Sequence, residues 1–165
     1  MRIAIFPGSF DPVTLGHVEI IERGAAIFDK VIVALGTNSK KQYRFTEAQR
    51  MEMLHIAFAD VAGVEVQSYE GLTVKFAEQN GAKFLLRGIR SAADLAYEQP
   101  TSLINKHLAP GMETIYLHSF PETQHISSTI VREVIRYDGK LQGLVPEGVA
   151  EYVEGLKGAT GVENA

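Results

Sequence analysis

Cysteine is absent from the 165 residues, which removes disulfides, zinc thiolates and thiol nucleophiles together. No long hydrophobic run is present either. The opening apolar stretch is about five residues before Pro7-Gly8, too short for a signal peptide or a membrane span, so no membrane partner and a cytoplasmic location are expected. Positive charge is not in excess: the formal net charge is -4. A general nucleic-acid binder needs a basic surface to displace counterions, so no nucleic-acid partner is expected, and any phosphate must be met by a local basic site. Internal repeats and low-complexity tracts are missing. So are the Gly-Lys-Ser/Thr ending of a P-loop and the Gly-x-Gly-x-x-Gly of a dinucleotide loop. His55, His107, His118 and His125 share no metal-ligand spacing, and no protein-held metal is expected. No carboxylate pair suits acid–base hydrolysis, and no Ser-His-Asp order stands out.

What is there begins with Arg2 to Phe6, a short β-rich run stopped by Pro7-Gly8, followed by Ser9-Phe10-Asp11-Pro12-Val13-Thr14-Leu15-Gly16-His17. The run reads as a buried strand. Val18, Ile21, Ala25 and Phe28 then fall on one helical face, with Thr14 as N-cap. Gly16 and His17 thus lie in the first helical turn, beside unpaired N–H groups and the positive end of the helix dipole. Gly8 admits close approach of a ligand to the backbone, and Ser9 adds a hydroxyl. This outlines a phosphate site, although a strand, glycine loop and helix also occur where no nucleotide binds. Asp11 before Pro12 reads as a turn-fixing residue, and Glu19 and Glu22 as a solvated helix face.

Length and an ordinary composition, 45% hydrophobic and 22% charged, predict one domain over 1–157 and a frayed tail over 158–165. Further strands are predicted at Lys30–Leu35, Val64–Val66, Lys83–Leu86 and Glu113–Leu117. Helices are predicted from a Thr46–Gln49 capping box, over Gly71–Asn80 with Gly81 after it, over Ala92–Leu108, from Ser127 or Ser128 to Tyr137, and from Pro146. Strands alternating with helices predict an α/β, Rossmann-like, doubly wound five-stranded parallel sheet with helices on both faces. Ligands then bind beyond the carboxyl ends of the strands.

The unusual polar residues all follow strand ends. Arg87-Gly88-Ile89-Arg90 could fork onto adjacent phosphates, or form surface ion pairs with Asp94 or Glu98. Lys41 reads as a point charge on a transferring group or as a solvated loop lysine. Ser127-Ser128-Thr129 reads as a second anion site or a simple cap, and His125 stands beside it.

Taken together, Gly8-x-Phe10-Asp11-Pro12, Thr14-x-Gly16-His17, Asn38-x-x-Lys41-x-x-x-Phe45, Arg87-Gly88-Ile89-Arg90, Tyr97-Glu98 and Ile126-Ser127-Ser128-Thr129-x-Val131-Arg132-Glu133 resemble the phosphopantetheine adenylyltransferase family of the nucleotidylyltransferase superfamily. Thr14, rather than His, is the form this family shows. The resemblance, from Met1 to about Leu156, implies transfer of an adenylyl group from ATP to 4′-phosphopantetheine, giving dephospho-CoA and pyrophosphate. It implies that Ser9, His17, Lys41 and Arg90 surround the transferring phosphates. Phe10, Gly16, Arg87, Gly88, Glu98, Ser127, Ser128 and Thr129 would hold ATP, and Leu72, Thr73, Asn105 and Glu133 would line the pantetheine arm beside Ser9, Lys41 and Arg87. Also implied are Mg2+ held mainly through ATP phosphates, a homohexamer, and feedback inhibition by CoA. Ser9 stands where the family more often has Thr. Pro100 departs from the family pattern and predicts a break near Gln99, with the helix restarting at Pro100.

Overall fold

Alternation of buried side chains along the strands divides the core into two layers. Ala4, Phe6, Val31, Val33, Leu35 and Leu86 point to one face of the sheet, and Ile5, Ile32, Ala34 and Leu85 to the other. The computed structural model describes residues 1–38 and 40–160. Its strands are β1 (Ile3–Gly8), β2 (Lys30–Thr37), β3 (Val64–Glu70), β4 (Phe84–Ile89) and β5 (Glu113–His118). Its helices are α1 (Leu15–Ile27), α2 (Glu47–Phe58), α3 (Thr73–Gln79), α4 (Ala92–Leu108), α5 (Ser128–Arg136) and α6 (Glu147–Thr160). All strand pairings are parallel, in the order β3-β2-β1-β4-β5. The predicted fold class is therefore the one observed.

Ile20 and Ile21 of α1, Met53 and Leu54 of α2, Val131 and Ile135 of α5, and Val149 and Val153 of α6 fill the first layer. Val74, Phe76 and Ala77 of α3 join Ala109 and Met112 in the second. Local signals set the helix ends. Thr46 Oγ1 accepts from Gln49 N–H at 3.2 Å while Gln49 Oε1 accepts from Thr46 N–H at 2.9 Å. Gly81 takes a φ of 66° just past α3, and Ser127, not Ser128, caps α5.

Four expectations are corrected. β3 runs on to Glu70 because it pairs with β2 as far as Thr37, and β4 continues through Arg87 to Ile89 because those residues pair with Tyr116 to His118. The break expected near Gln99 does not occur. α4 is continuous from Ala92 to Leu108 with Pro100 inside it. The helix is tolerated there because α4 lies outside the core, with no buried residue, and water can satisfy the Ala96 carbonyl that Pro100 leaves without a donor. At the other end, α6 reaches Thr160, and the remainder of the expected tail, 161–165, lies outside the described residues.

Candidate active site

β1 and β4 are neighbours, yet the chain leaves them toward opposite edges of the sheet. A crevice opens beyond their carboxyl ends, at the point where the strand order reverses. The loop after β1, the first turn of α1, the end of β4 and the start of α5 meet there around a cleft of about 360 Å³. Ser9, Phe10, Gly16, His17, Arg87, Gly88, Arg90, Glu98, Ser127 and Ser128 all border it. A second cleft of about 680 Å³ adjoins it across Gly8, Ser9, Arg87 and Glu98, and takes in Lys41, Thr73 and Asn105. Leu72 lies half-exposed at a neighbouring depression beside Lys75. Thr129 and Glu133 border neither main cleft: Thr129 Oγ1 accepts from Arg132 at 3.2 Å, and Glu133 lies 3.8 Å from Arg136.

The position and tautomer of His17 follow from its helix cap. Thr14 Oγ1 accepts from His17 N–H at 3.4 Å, and His17 Nδ1 accepts from Thr14 N–H at 3.0 Å. Because Nδ1 serves as acceptor, the ring proton resides on Nε2. Phe10 and Phe6 brace the ring edge-on, with centroids 5.1 and 6.3 Å away. Burial first, then the Arg87 and Arg90 charges, hold the imidazole pKa down at about 4. At neutral pH this is a neutral N–H donor, not a cation.

Both arginines carry carboxylates. Arg87 donates Nε and Nη2 to the two oxygens of Glu98 at 2.8 and 2.6 Å, and Nη1 to the Pro7 carbonyl at 2.5 Å. Arg90 donates to Asp94 from its backbone N–H at 3.0 Å and from Nε at 2.8 Å. The Arg90 side-chain hydrogen bond holds the Asp94 carboxyl below its ordinary range. The two ion pairs weighed from sequence thus both form, and within the same cleft as His17.

Backbone packing explains the glycines. A Cβ on Gly8 would lie 2.9 Å from the Phe10 ring, and one on Gly88 would lie 2.8 Å from Ile20 Cγ1. Gly16 lies close under the β5–α5 loop, where a Cβ would stand 3.7 Å from the Ile126 carbonyl. Phe10 borders the cleft and is itself buried, its ring packed against Phe6 and His17.

Several contributors escaped the sequence reading. Glu19 is not a solvated helix residue: its carboxylate accepts from Arg23 at 2.6 Å, from Phe120 N–H at 3.2 Å, and from the Thr123 hydroxyl. It ties α1 to the β5–α5 loop. Buried Asp11 does more than fix a turn, accepting from Arg44 N–H and Phe45 N–H at 2.9 and 3.0 Å and so holding the segment that follows Lys41. Arg132 borders the first cleft and donates to the Asp11 carbonyl at 2.8 Å. Its place four residues after Ser128, on the same helical face, was the signal that could have found it.

Residues 5–134 match the family model described as cytidylyltransferase-like. The phosphopantetheine adenylyltransferase of Desulforudis audaxviator is 42% identical over 161 residues, covering 98% of this chain and 99% of its own length. The chain belongs to the phosphopantetheine adenylyltransferase family. Family members from Levilactobacillus brevis and Flavobacterium psychrophilum are 45% and 47% identical, covering 92% and 90% of this chain and 94% and 98% of their own. As a member of this family the chain is a nucleotidyltransferase enzyme. Among the described residues, no helix is long and apolar enough to cross a membrane.

Proposed function

We propose that the chain transfers the adenylyl group of ATP to 4′-phosphopantetheine, releasing pyrophosphate and forming dephospho-CoA. The observation that carries this reading is the convergence of His17, Arg87, Arg90, Ser127 and Ser128 on one cleft that adjoins a second cleft containing Lys41. ATP occupies the first cleft, its phosphates against the amino end of α1, and the pantetheine arm the second, between Thr73 and Asn105. The attacking group is a phosphate already ionised at neutral pH, so the reaction calls for no general base. Catalysis is positioning and charge stabilisation: His17 Nε2–H donates to the α-phosphate, while Arg90 and Lys41 neutralise charge on the leaving and attacking phosphates. Ser9 contributes its hydroxyl where the two clefts join.

The cleft carboxylates are already engaged, which fits a magnesium ion carried by the nucleotide rather than by the protein. Glu98 and Asp94 are held by arginines and Asp11 by backbone N–H groups, so Mg2+ would be held mainly by ATP phosphates and water. When bound, it supplies further charge neutralisation at those phosphates. CoA contains the pantetheine arm of the product, which supports its competing for the same clefts as a feedback inhibitor. The homohexamer that the resemblance implies is supported by α4, which leaves Leu95, Tyr97, Leu103 and Ile104 exposed. The enzyme works in the cytoplasm, where ATP is supplied.

Pyrophosphate exchange into ATP with dephospho-CoA tests the reading, run beside CTP and nicotinamide mononucleotide controls. Exchange only with dephospho-CoA is expected. Turnover confined to CTP or to the pyridine mononucleotide overturns it.

A further inference from the structure

Arg50 is 2% exposed, and among the described residues no carboxylate pairs with it. A buried guanidinium without an acid is costly, and the sequence places one on the inner face of α2. Its compensation is sparse. Nη1 donates to the Ser9 carbonyl at 2.7 Å, Cζ stacks 3.9 Å over the Tyr43 ring, and Nε is buried with no partner. A side chain held at that cost touches the phosphate loop at one atom.

That atom orients a peptide. In a trans peptide the carbonyl of Ser9 and the N–H of Phe10 point in opposite directions. With the carbonyl turned back to Arg50, which borders neither main cleft, the Phe10 N–H is turned forward to the cleft that Ser9, Phe10 and His17 share. Among the described residues nothing accepts a hydrogen bond from that N–H. Phe10 also has a φ of 45°, a left-handed conformation that a non-glycine residue keeps only when its surroundings enforce it.

We propose that Arg50 is a positioning residue for nucleotidyl transfer: by holding the Ser9 carbonyl it presents the Phe10 N–H as a preorganised donor to a phosphate oxygen of ATP. The inference rests on the reading of the first cleft as the ATP phosphate site. Arg50 does not touch the nucleotide; it acts through the Ser9–Phe10 peptide, and its charge, uncompensated by an acid, adds a positive field behind the same loop.

The test uses the full chain with inorganic pyrophosphate as probe, following the Phe10 amide by 15N–1H NMR, together with steady-state kinetics. In the wild type, pyrophosphate shifts the Phe10 amide proton downfield. In Arg50→Met that shift is lost, kcat/KM for ATP falls by about 100-fold, and the KM for phosphopantetheine stays within about twofold. Arg50→Gln keeps a donor for the Ser9 carbonyl without the charge, and restores the amide shift and about tenfold of the lost kcat/KM. Gln and Lys variants keep the test open if the Met variant does not fold. No Phe10 shift in the wild type would overturn the reading of the cleft itself. A wild-type shift that persists in Arg50→Met, or a kcat/KM for ATP in that variant within about twofold of the wild type, would overturn the role of Arg50 alone.

Discussion

Glu19 and Thr123 stand 104 residues apart in sequence, and the Thr123 hydroxyl donates to the Glu19 carboxylate. Through it and the Phe120 N–H, α1 sets the height of the β5–α5 loop over Gly16. Glu19→Ala leaves Arg23, the Phe120 N–H and the Thr123 hydroxyl without their carboxylate, a loss of about 1–3 kcal/mol. Because the loop borders the cleft proposed to take ATP, KM for ATP should rise about tenfold while kcat changes little. Steady-state kinetics with each substrate varied in turn check this; equal changes for ATP and phosphopantetheine would count against it.

His17→Ala removes the Nε2–H donor. Turnover should fall by about 100–1000-fold, with ATP affinity changed only a few-fold. Single-turnover rates set against equilibrium ATP binding separate the two effects, and equal losses in both would refute the assignment.

The same ring predicts a pH dependence of stability. Its folded-state pKa, about 4, lies below the ordinary 6.5, so the unfolded chain takes up this proton first as pH falls. The contribution is complete above about 6.5 and is lost on the way down to about 4. Urea midpoints for wild type and His17→Asn, at about pH 7 and pH 4.5, should show the wild type losing more.

Asp11→Ala leaves the buried Phe45 N–H and the half-buried Arg44 N–H without their acceptor, and Arg132, 3.9 Å away, without that carboxylate. A loss of about 3 kcal/mol is expected, with Asp11→Asn near half of that because one acceptor oxygen survives. Denaturant unfolding gives the stability. Turnover should fall in both variants, since Asp11 holds the segment carrying Lys41.

Pro100→Ala should stabilise. It restores a backbone donor inside a continuous helix on a face that packs on nothing within the chain, a gain of about 1–3 kcal/mol. Thermal melting tests this directly. A fall in Tm would mean that the exposed face of α4 is shaped around the proline.

What could be read from the sequence was local. The Thr14–His17 and Thr46–Gln49 boxes lie within a single helical turn, so residue type and spacing alone announced both helix starts. Arg90 and Asp94 are four apart, and their pairing was visible as an option. Sheet order was not written in any window of the chain, and the end of β4 was obscured because Arg87 and Gly88 are poor strand markers until β5 pairs with them. Glu19 looked solvated because its partners lie more than 100 residues downstream. Nothing in the sequence around Arg50 marks it, because its partner is the Ser9 loop 41 residues upstream. Pro100 misled because an exposed helix can continue past a proline, water meeting the carbonyl that loses its donor.

The pairing of Arg87 with Glu98 and of Arg90 with Asp94 offsets the charge of both arginines in the crevice. A small anion arriving alone gains little, because it must compete with a tethered carboxylate for every guanidinium it approaches. A polyphosphate chain can dislodge both acids in one event and engage the imidazole as well.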